Sequence, residues 1–419
     1  MSIISSRLTF ITWLSVCFGL IVVSTTQLTA ADAQLAAHVQ YTPRSVTGNI
    51  PALATYLTTP ASSQRDKAWA IYRWVTGNVS YNVAGRLSGR LGDNHAEAVL
   101  NRRVAVCDGY ANLYQALAHA AGLTVVKVLG VCKEDPFSPS AAKKSHAWNA
   151  VKIDDDWQLV DCTMGAGYLD GQLNFVHTVD DFYFCTPPEK FIFDHFPEDE
   201  KWQLLPNPLT AAQFDNLASV SPQFFEYGLH CAQISRRKIT VDHSGTLTID
   251  APANVLLTAT LYQNETPLRG EYALAQRSGD HYTITTVCPA AGSYQLRIFA
   301  KHDGDAGGYL CVAEFWVTAS SGTPDSLMLP KVYGQFTLMN ASVVSPLTKQ
   351  IPAGAAVNFS LAVPGAANVL VVNGDDWVPL QGHDGHFAGK IRLRPGKTVV
   401  VAQQPGSESY GVLLEYLAK

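Results

Sequence analysis

The stretch Val104-Ala105-Val106-Cys107-Asp108-Gly109-Tyr110 lies where a short apolar run meets a helical pattern. After Cys107, apolar residues recur at steps of three and four as far as Ala121, which predicts an amphipathic helix that ends at Gly122. Cys107 therefore stands at a helix N-terminus, where unpaired N–H groups and the helix dipole favour the nucleophilic thiolate. The alternative interpretations of a single cysteine at this position are a buried core residue or one half of a disulfide bond.

A β-hairpin is predicted downstream, and its two open ends carry a histidine and an aspartate. Residues 145–153 and 157–162 are typical of strands, and the acidic run 154–156 between them predicts the turn. His146 opens the first strand and Asp161 nearly closes the second. The two residues therefore meet at one end of the hairpin.

The length of the turn decides whether these two side chains share a face. A two-residue turn at Asp154-Asp155 pairs Ile153 with Asp156, and this register puts His146 and Asp161 on the same face. A three-residue turn would put them on opposite faces. With the even turn, the histidine can take the thiol proton and the aspartate can orient the imidazole. The predicted catalytic residues are Cys107, His146 and Asp161.

Several short motifs around these residues carry a family resemblance. They are Ala70-Ile71-Tyr72-Arg73-Trp74-Val75 with Tyr81, Val106-Cys107-Asp108-Gly109-Tyr110-Ala111, His146-Ala147-Trp148-Asn149-Ala150-Val151, Leu159-Val160-Asp161 with Gly165-Ala166-Gly167, and a later block of Phe182-Tyr183-Phe184, Pro188-Glu189-Lys190-Phe191-Ile192, His195-Phe196-Pro197 and Trp202-Gln203-Leu204-Leu205. This pattern resembles the transglutaminase-like superfamily and, more narrowly, its kyphoscoliosis-peptidase group. Met164 departs from it, since tryptophan is expected there, but no triad position is lost.

The resemblance implies an α+β, papain-like core and a cysteine-dependent acyl-transfer enzyme. Cys107 would attack an amide carbonyl of a protein or peptide, with its own backbone N–H as an oxyanion donor. The thioester then passes to water, as in a peptidase or amidase, or to an amine, as in a cross-linking transglutaminase. The resemblance favours the peptidase. The chemistry requires no cofactor and no metal. A non-enzymatic surface scaffold that binds a protein through β domains is the alternative from another class.

The first 33 residues are typical of a secretory signal peptide. Arg7 supplies the basic region, Leu8 to Val23 the apolar region, and Ala31-Asp32-Ala33 a cleavage site. The expected location is therefore secreted or periplasmic, with an uncleaved N-terminal anchor as the alternative. Disulfide bonds persist after export, and Cys288 with Cys311 is the favoured pair, although buried free thiols fit the sequence equally well.

Composition limits the classes of partner. Charged residues make up only 16% of the chain, and the net charge is −5 with no basic run. This composition argues against nucleic acid or an anionic membrane surface as a partner. The expected partners are a protein or peptide substrate and a protein bound by the β domains.

Three folded domains are predicted after the signal segment. Residues 34–230 form the catalytic domain, and its first part, 34–61, is expected to be an extended lead-in because of its prolines. Residues 231–320 and 325–419 show short alternating runs that predict two immunoglobulin-like β-sandwiches. An internal repeat supports this division: Ala253-Asn254-Val255-Leu256 recurs as Ala367-Asn368-Val369-Leu370, and Tyr309 with Glu314-Phe315 recurs as Tyr410 with Glu415-Tyr416.

Two further histidines, His177 and His195, are candidates for additional site residues. The sequence pairs neither of them with a second catalytic group. Both are therefore interpreted as structural histidines.

Overall fold

The computed structural model describes residues 30–133, 137, 143–268 and 271–419. Most of the predicted signal peptide, residues 1–29, lies outside the described residues. Among the helices of the described ranges, none is both long enough and apolar enough to cross a membrane.

The N-terminal domain packs helices against a five-stranded antiparallel sheet. Its helices are α1 (Ala30–Gln40), α2 (Ile50–Thr58), α3 (Gln64–Asn78), α4 (Val83–Ser88), α5 (Ala96–Arg102), α6 (Cys107–Ala120), α7 (Pro188–Phe191) and α8 (Ala211–Asn216). Its strands are β1 (Ser80–Tyr81), β2 (Val104–Ala105), β3 (Val125–Cys132), β4 (Lys144–Ile153), β5 (Asp156–Val160), β6 (Gly167–Leu169), β7 (Phe175–His177), β8 (Phe184–Thr186) and β9 (His195–Pro197). The strand order of the main sheet is β8-β5-β4-β3-β9.

Helix α6 is the central helix of this domain, as its apolar periodicity predicts. It buries Tyr110, Leu113, Tyr114 and Leu117 in a core shared with α2, α3 and the sheet. It ends before Gly122, whose φ of 77° suits a residue without a side chain. The predicted helix and its stop signal are confirmed.

The predicted extended lead-in is wrong, because helices α1 and α2 occupy most of it. Asn49 caps α2 by accepting a hydrogen bond from the N–H of Ala52 at 2.8 Å. Pro51 lies in the first turn, where its missing N–H is not needed. Leu53 and Leu57 are completely buried against the core. The proline that suggested irregular structure is thus part of a helix start.

The hairpin formed by β4 and β5 has the predicted register. Ile153 pairs with Asp156, and Asn149 pairs with Val160. Asp154 and Asp155 have φ values of 48° and 72°, and positive φ at both central residues is the requirement of a tight type I′ turn. The two-residue turn is therefore confirmed. This register places His146 of β4 on the same side of the hairpin as Asp161, which follows β5.

The first β-sandwich consists of a six-stranded and a three-stranded sheet. Its elements are α9 (Pro222–Glu226), β10 (Ser219–Val220), β11 (Lys238–Val241), β12 (Ser244–Asp250), β13 (Val255–Gln263), β14 (Thr266–Pro267), β15 (Ala273–Ser278), β16 (His281–Val287), β17 (Gly292–His302) and β18 (Leu310–Ala319). The larger sheet has the order β10-β18-β17-β13-β14, with β11 also on β18, and the smaller sheet has the order β12-β16-β15.

The second β-sandwich consists of a six-stranded and a four-stranded sheet. Its elements are α10 (Gly334–Leu338), β19 (Lys331–Val332), β20 (Ser342–Ser345), β21 (Gln350–Ile351), β22 (Ala356–Ala362), β23 (Asn368–Asn373), β24 (Asp376–Pro379), β25 (Gln381–His383), β26 (His386–Arg392), β27 (Gly396–Gln403) and β28 (Tyr410–Ala418). The larger sheet has the order β19-β28-β27-β23-β24, with β21 also on β28, and the smaller sheet has the order β20-β22-β26-β25.

The internal repeat of the sequence is a repeat of topology. The repeated Ala-Asn-Val-Leu motif overlaps the starts of β13 and β23, which hold corresponding places in the two larger sheets. The repeated glutamates also correspond, because Glu314 pairs with Ser219 of β10 and Glu415 pairs with Lys331 of β19. The last pair of strands in each sandwich carries an irregularity in register at a comparable position.

This correspondence moves the start of the first sandwich to before residue 231. Strand β10 pairs with β18, and Phe224 of α9 is completely buried in the core of that sandwich. In the second sandwich, β19 and Phe336 of α10 occupy the same places. The predicted boundary after residue 230 therefore differs from the structure, since residues 219–230 pack with the sandwich.

The expected disulfide bond between Cys288 and Cys311 is not formed in the structure. Cys288 is a free thiol in the core of the first sandwich. Burial raises its pKa to about 11, as expected for a thiol with little contact with water. The second interpretation, that several cysteines are buried thiols, matches the described residues.

Candidate active site

Cys107 is the first residue of α6, as predicted. The helix begins after Val106, whose carbonyl accepts the N–H groups of Gly109 and Tyr110 at 2.9 and 3.1 Å. A Cβ on Gly109 would lie 2.7 Å from the Cβ of Ala105, so glycine allows the helix start to approach its neighbours closely. The half-buried Cys107 is thus held at the positive end of a helix.

The second and third predicted residues are in direct contact. The Nε2 atom of His146 lies 2.6 Å from Oδ2 of Asp161, and both side chains are buried. The side chain of His146 also forms a hydrogen bond with the side chain of Cys107. Because Nε2 faces the carboxylate, Nδ1 is the ring atom left for the cysteine. The structure brings all three predicted residues together, and their catalytic role stays a prediction.

Asp161 is held as an acceptor by its own loop. Its Oδ1 atom accepts the backbone N–H groups of Thr163 and Met164 at 2.7 and 3.2 Å. Burial opposes ionisation, but the charge of His146 and the hydrogen bonds from His146 and His195 hold the pKa of Asp161 well below its usual range. The contact from Met164 uses the backbone. A residue other than the expected tryptophan therefore leaves it intact.

The environment of His146 favours its protonated form. Burial works against the charged ring, yet the Asp161 carboxylate outweighs it and raises the pKa of His146 well above the ordinary value. A protonated imidazole beside Cys107 stabilises negative charge on sulfur. The site therefore places a ring that favours its cationic form beside the Cys107 sulfur.

His195 belongs to the same cluster, although the sequence paired it with no second catalytic group. Its Nε2 atom lies 2.9 Å from Oδ2 of Asp161, and its Nδ1 atom lies 2.6 Å from Oδ1 of Asp194. His177 lies elsewhere, with Nε2 2.6 Å from the carbonyl oxygen of Thr76. The structure thus separates the two histidines that the sequence could not distinguish.

The only described residues that group as possible metal ligands are His146, Asp161 and His195, whose ligand atoms lie within 4.8 Å of one another. Their nitrogen–oxygen separations are 2.6 and 2.9 Å, which are hydrogen-bond lengths. Ligands at about 2.0–2.1 Å from a tetrahedral zinc would be separated by about 3.3 Å. The present spacing fits hydrogen bonding among these groups better than metal binding.

Gly130 lets strand β9 lie close enough to bring His195 to Asp161. It pairs with His146 on one side and with Pro197 on the other. A Cβ at this position would meet the carbonyl oxygen of Phe196 and lie 2.8 Å from Cα of Pro197. We expect Gly130→Ala to lower the free energy of unfolding by about 1–3 kcal/mol, because the backbone of β9 and the buried ring of Trp148, 2.5 Å from such a Cβ, must both shift.

Urea unfolding followed by circular dichroism measures this effect. Gly171→Ala is the matched control, since nothing lies within 4 Å of a Cβ there and its φ is not positive. Equal stability of the Gly130→Ala and Gly171→Ala proteins would contradict the proposed close approach of β9.

Comparison with known protein families agrees with this architecture. Residues 51–162 match the family model of the transglutaminase-like superfamily, and residues 211–330 match that of the KY-like, immunoglobulin-like domain. The first range contains Cys107, His146 and Asp161. The chain therefore joins a transglutaminase-like domain to a KY-like immunoglobulin-like domain, as the sequence motifs predicted.

Individual relatives narrow the comparison. The chain is 28% identical to kyphoscoliosis peptidase of Mus musculus over 346 residues, which are 79% of this chain and 51% of that protein. It is 28% identical to kyphoscoliosis peptidase of Homo sapiens over 77% of this chain and 50% of that protein. It is 34% identical to Lim and transglutaminase domain protein ltd-1 of Caenorhabditis elegans over 41% of this chain and 26% of that protein.

The chain spans about half the length of the two kyphoscoliosis peptidases it matches. The similarity therefore defines its domain types. The reaction of this chain is a separate question, which depends on the chemistry of its own site.

Proposed function

We propose that the chain is a cysteine-dependent acyl-transfer enzyme that cleaves amide bonds of proteins or peptides through a thioester. The observation that carries the proposal is the hydrogen bonding of buried His146 to two groups, buried Asp161 and half-buried Cys107, the first residue of α6. The names of the two kyphoscoliosis peptidases support hydrolysis as the outcome.

In the proposed reaction, His146 takes the proton of the Cys107 thiol and the sulfur attacks the substrate carbonyl carbon. The oxyanion receives hydrogen bonds from N–H groups at the helix start, among them that of Cys107. The C–N bond breaks as His146 returns the proton to the leaving amine. Water, deprotonated by His146, then attacks the thioester. The C–S bond breaks, the acid product leaves, and the thiol is restored. Asp161 keeps the imidazole oriented throughout.

Transfer of the acyl group to an amine is the second candidate, and it is supported by the match to the transglutaminase-like superfamily. The two reactions share every step up to the thioester and differ in the nucleophile that consumes it. Incubation with an unfolded protein and a fluorescent primary amine distinguishes them. New peptide termini indicate hydrolysis, and fluorescent protein indicates transfer.

The first test asks whether Cys107 is chemically activated. Cys107 and Cys311 are the two described cysteines of intermediate burial, so exposure alone predicts similar labelling by iodoacetamide. We expect Cys107 to be alkylated at least about tenfold faster than Cys311 at neutral pH, because His146 stabilises its thiolate. Peptide mass spectrometry of the full chain measures both rates.

Equal labelling of the two cysteines would overturn the proposed function and favour a non-enzymatic scaffold. His146→Gln is the informative variant, because the amide cannot carry the positive charge. In that protein the two labelling rates should converge.

We also propose that the protein is exported to the periplasm or secreted. The described cysteines form no disulfide bond, so this proposal rests on the composition of the first 33 residues alone. N-terminal sequencing of the protein made in its host provides the test. A mature N-terminus near residue 34 supports export, and an intact Met1 on protein found only inside the cell contradicts it.

A further inference from the structure

His195 lies between two carboxylates in the interior of the N-terminal domain. Its side chain is completely buried, its Nε2 atom lies 2.9 Å from Oδ2 of Asp161, and its Nδ1 atom lies 2.6 Å from Oδ1 of Asp194. His146 contacts the same Oδ2 atom of Asp161 from the other side at 2.6 Å. One carboxylate oxygen is therefore shared by two imidazole rings.

We propose that His195 is a positioning residue that shares the Asp161 carboxylate with His146 and so sets the pH range in which Cys107 reacts. The inference rests on the proposed function, because it concerns the reactivity of the same cysteine. It assigns a role to a fourth and a fifth side chain, His195 and Asp194, outside the predicted triad.

The hydrogen-bond geometry defines the protonation state of His195. A carboxylate oxygen accepts hydrogen bonds, and a neutral imidazole has only one N–H group to donate. Both ring nitrogens of His195 face carboxylate oxygens at hydrogen-bonding distance. The ring therefore carries both protons. Although burial opposes this charge, the Asp194 carboxylate and the bonds to Asp161 and Asp194 raise the pKa of His195.

Packing prevents the ring from turning away. Phe191 stacks on it with the ring centroids 3.8 Å apart, and Trp148 meets it edge-on at 5.1 Å. The hydroxyl of Tyr183 donates to Oδ2 of Asp194 at 3.1 Å, which fixes the second carboxylate. The positive charge of His195 is thus held in a fixed position beside the Asp161 carboxylate.

This charge limits how strongly Asp161 can stabilise protonated His146. The centroids of the His146 and His195 rings lie 5.4 Å apart. At that distance, and with an effective dielectric constant of about 20, the positive charge of His195 repels a proton on His146. Without the cation, His146 would keep its proton to a higher pH. Titratable groups surround this cluster on every side. Besides its own members His146, Asp161 and Asp194, these groups are Tyr72, Cys107, Tyr110, Cys132, Lys133, Cys162 and Tyr183.

The test is the pH profile of Cys107 alkylation by iodoacetate in the full chain. The anionic reagent reacts fastest when the Cys107 thiolate and the His146 imidazolium coexist. The rate therefore rises with pH as the thiolate forms and falls again as His146 loses its proton, and these two parts of the profile are its limbs. In His195→Gln the amide can still donate to Asp161 but carries no charge. We expect both limbs to move to higher pH by about two units.

His177→Gln is the matched control, because it makes the same chemical change in a histidine whose ring contacts the carbonyl oxygen of Thr76 and the ring of Phe175. Its profile should coincide with that of the parent. A purely structural His195 would lower the folded fraction and leave the limbs of the remaining active protein unmoved.

A second variant separates charge from packing. Asp194→Asn keeps the imidazole in place but removes the carboxylate that holds its second proton. It should shift the limbs in the same direction by a smaller amount, because the loss of the more distant negative charge partly offsets the loss of the cation. Should neither variant fold, nitrogen NMR of the parent decides the issue, and a neutral His195 at pH 7 overturns the proposal.

The outcomes also separate the two proposals. If the parent protein shows no preferential alkylation of Cys107, the proposed function fails whatever His195 does. If Cys107 is preferentially alkylated and the His195→Gln profile superimposes on that of the parent, only the inference about His195 is overturned.

Discussion

Replacing Cys107 with alanine should reduce amide cleavage by about 10⁴- to 10⁶-fold and leave the fold intact. The sulfur forms the bond to the substrate carbonyl in the proposed mechanism, and alanine offers no nucleophile in its place. The side chain is half-buried at the first residue of α6, so its loss should change the free energy of unfolding by no more than about 1 kcal/mol. Cleavage of an unfolded protein, followed by mass spectrometry, measures the activity.

Cys311→Ala is the control, because this cysteine is also half-buried but lies in the first β-sandwich. It should retain full activity. Cys107→Ser adds a stricter test, since serine keeps the size of the side chain while its hydroxyl is far harder to deprotonate. Turnover near that of the parent in Cys107→Ser would mean that the nucleophile has been misassigned.

The second large effect is expected for Asp161→Asn, which should affect activity and stability together. The amide can accept through only one atom and carries no charge, whereas the carboxylate serves two imidazole rings and two backbone N–H groups. We expect a loss of activity of about 10³- to 10⁴-fold, because His146 loses the group that fixes its tautomer.

The stability loss should depend on pH with a definite sign. In the parent, the raised pKa values of His146 and His195 contribute stability that is fully present below the unfolded value of about 6.5 and is lost as the pH rises through the folded values. In Asp161→Asn the buried His146 loses its negative partner and His195 keeps only Asp194, so protonation of His146 opposes folding. The difference in unfolding free energy should therefore grow as the pH falls from 8 to 5 and reach about 3 kcal/mol.

Chemical denaturation at several pH values measures this trend. Asp155→Asn is the control, since this residue lies exposed in the turn of the same hairpin and its ion pair with Lys152 is at the surface. A penalty for Asp161→Asn that stays constant between pH 5 and 8 would show that the carboxylate does not stabilise charged imidazoles.

The sequence predicted the triad geometry because that geometry depends on local rules. The start of α6 follows from helical periodicity, and the placing of His146 beside Asp161 follows from the length of one turn. The hairpin register agreed residue by residue, with Ile153 opposite Asp156. Both features involve neighbours in the chain or across a single hairpin.

The sequence did not predict the contact of His195 with Asp161, and the reason is physical. Strand β9 has only three residues, which is too short to show an alternating pattern. The contact of His195 with Asp161 joins positions 34 residues apart, through strands that are not consecutive in the sheet. No local pattern encodes such a contact. The residue pair Asp194-His195 was visible in the sequence, but nothing there showed what it faced.

The start of the first sandwich was missed although the sequence contained a signal for it. Gln223-Phe224 and Gln335-Phe336 occupy corresponding places in helices α9 and α10, ahead of each sandwich. These helices have only five residues each, so their periodicity is weak. The repeated motifs that the sequence shows clearly lie in or beside strands, and they leave the start of the first sandwich unmarked.

The strand order of the two sandwiches has a consequence for synthesis of the protein on the ribosome. In each larger sheet the strand made last, β18 or β28, lies inside the sheet and joins the strand before it to the short strands made first. Neither larger sheet can close until that strand has emerged, whereas the candidate site is complete once residue 197 is available. Domains generally fold as units in the order of their synthesis. The growing chain should thus hold a completed candidate site while its unclosed sheets still expose apolar faces. We therefore expect nascent chains to be most prone to aggregate while the sandwiches are being made.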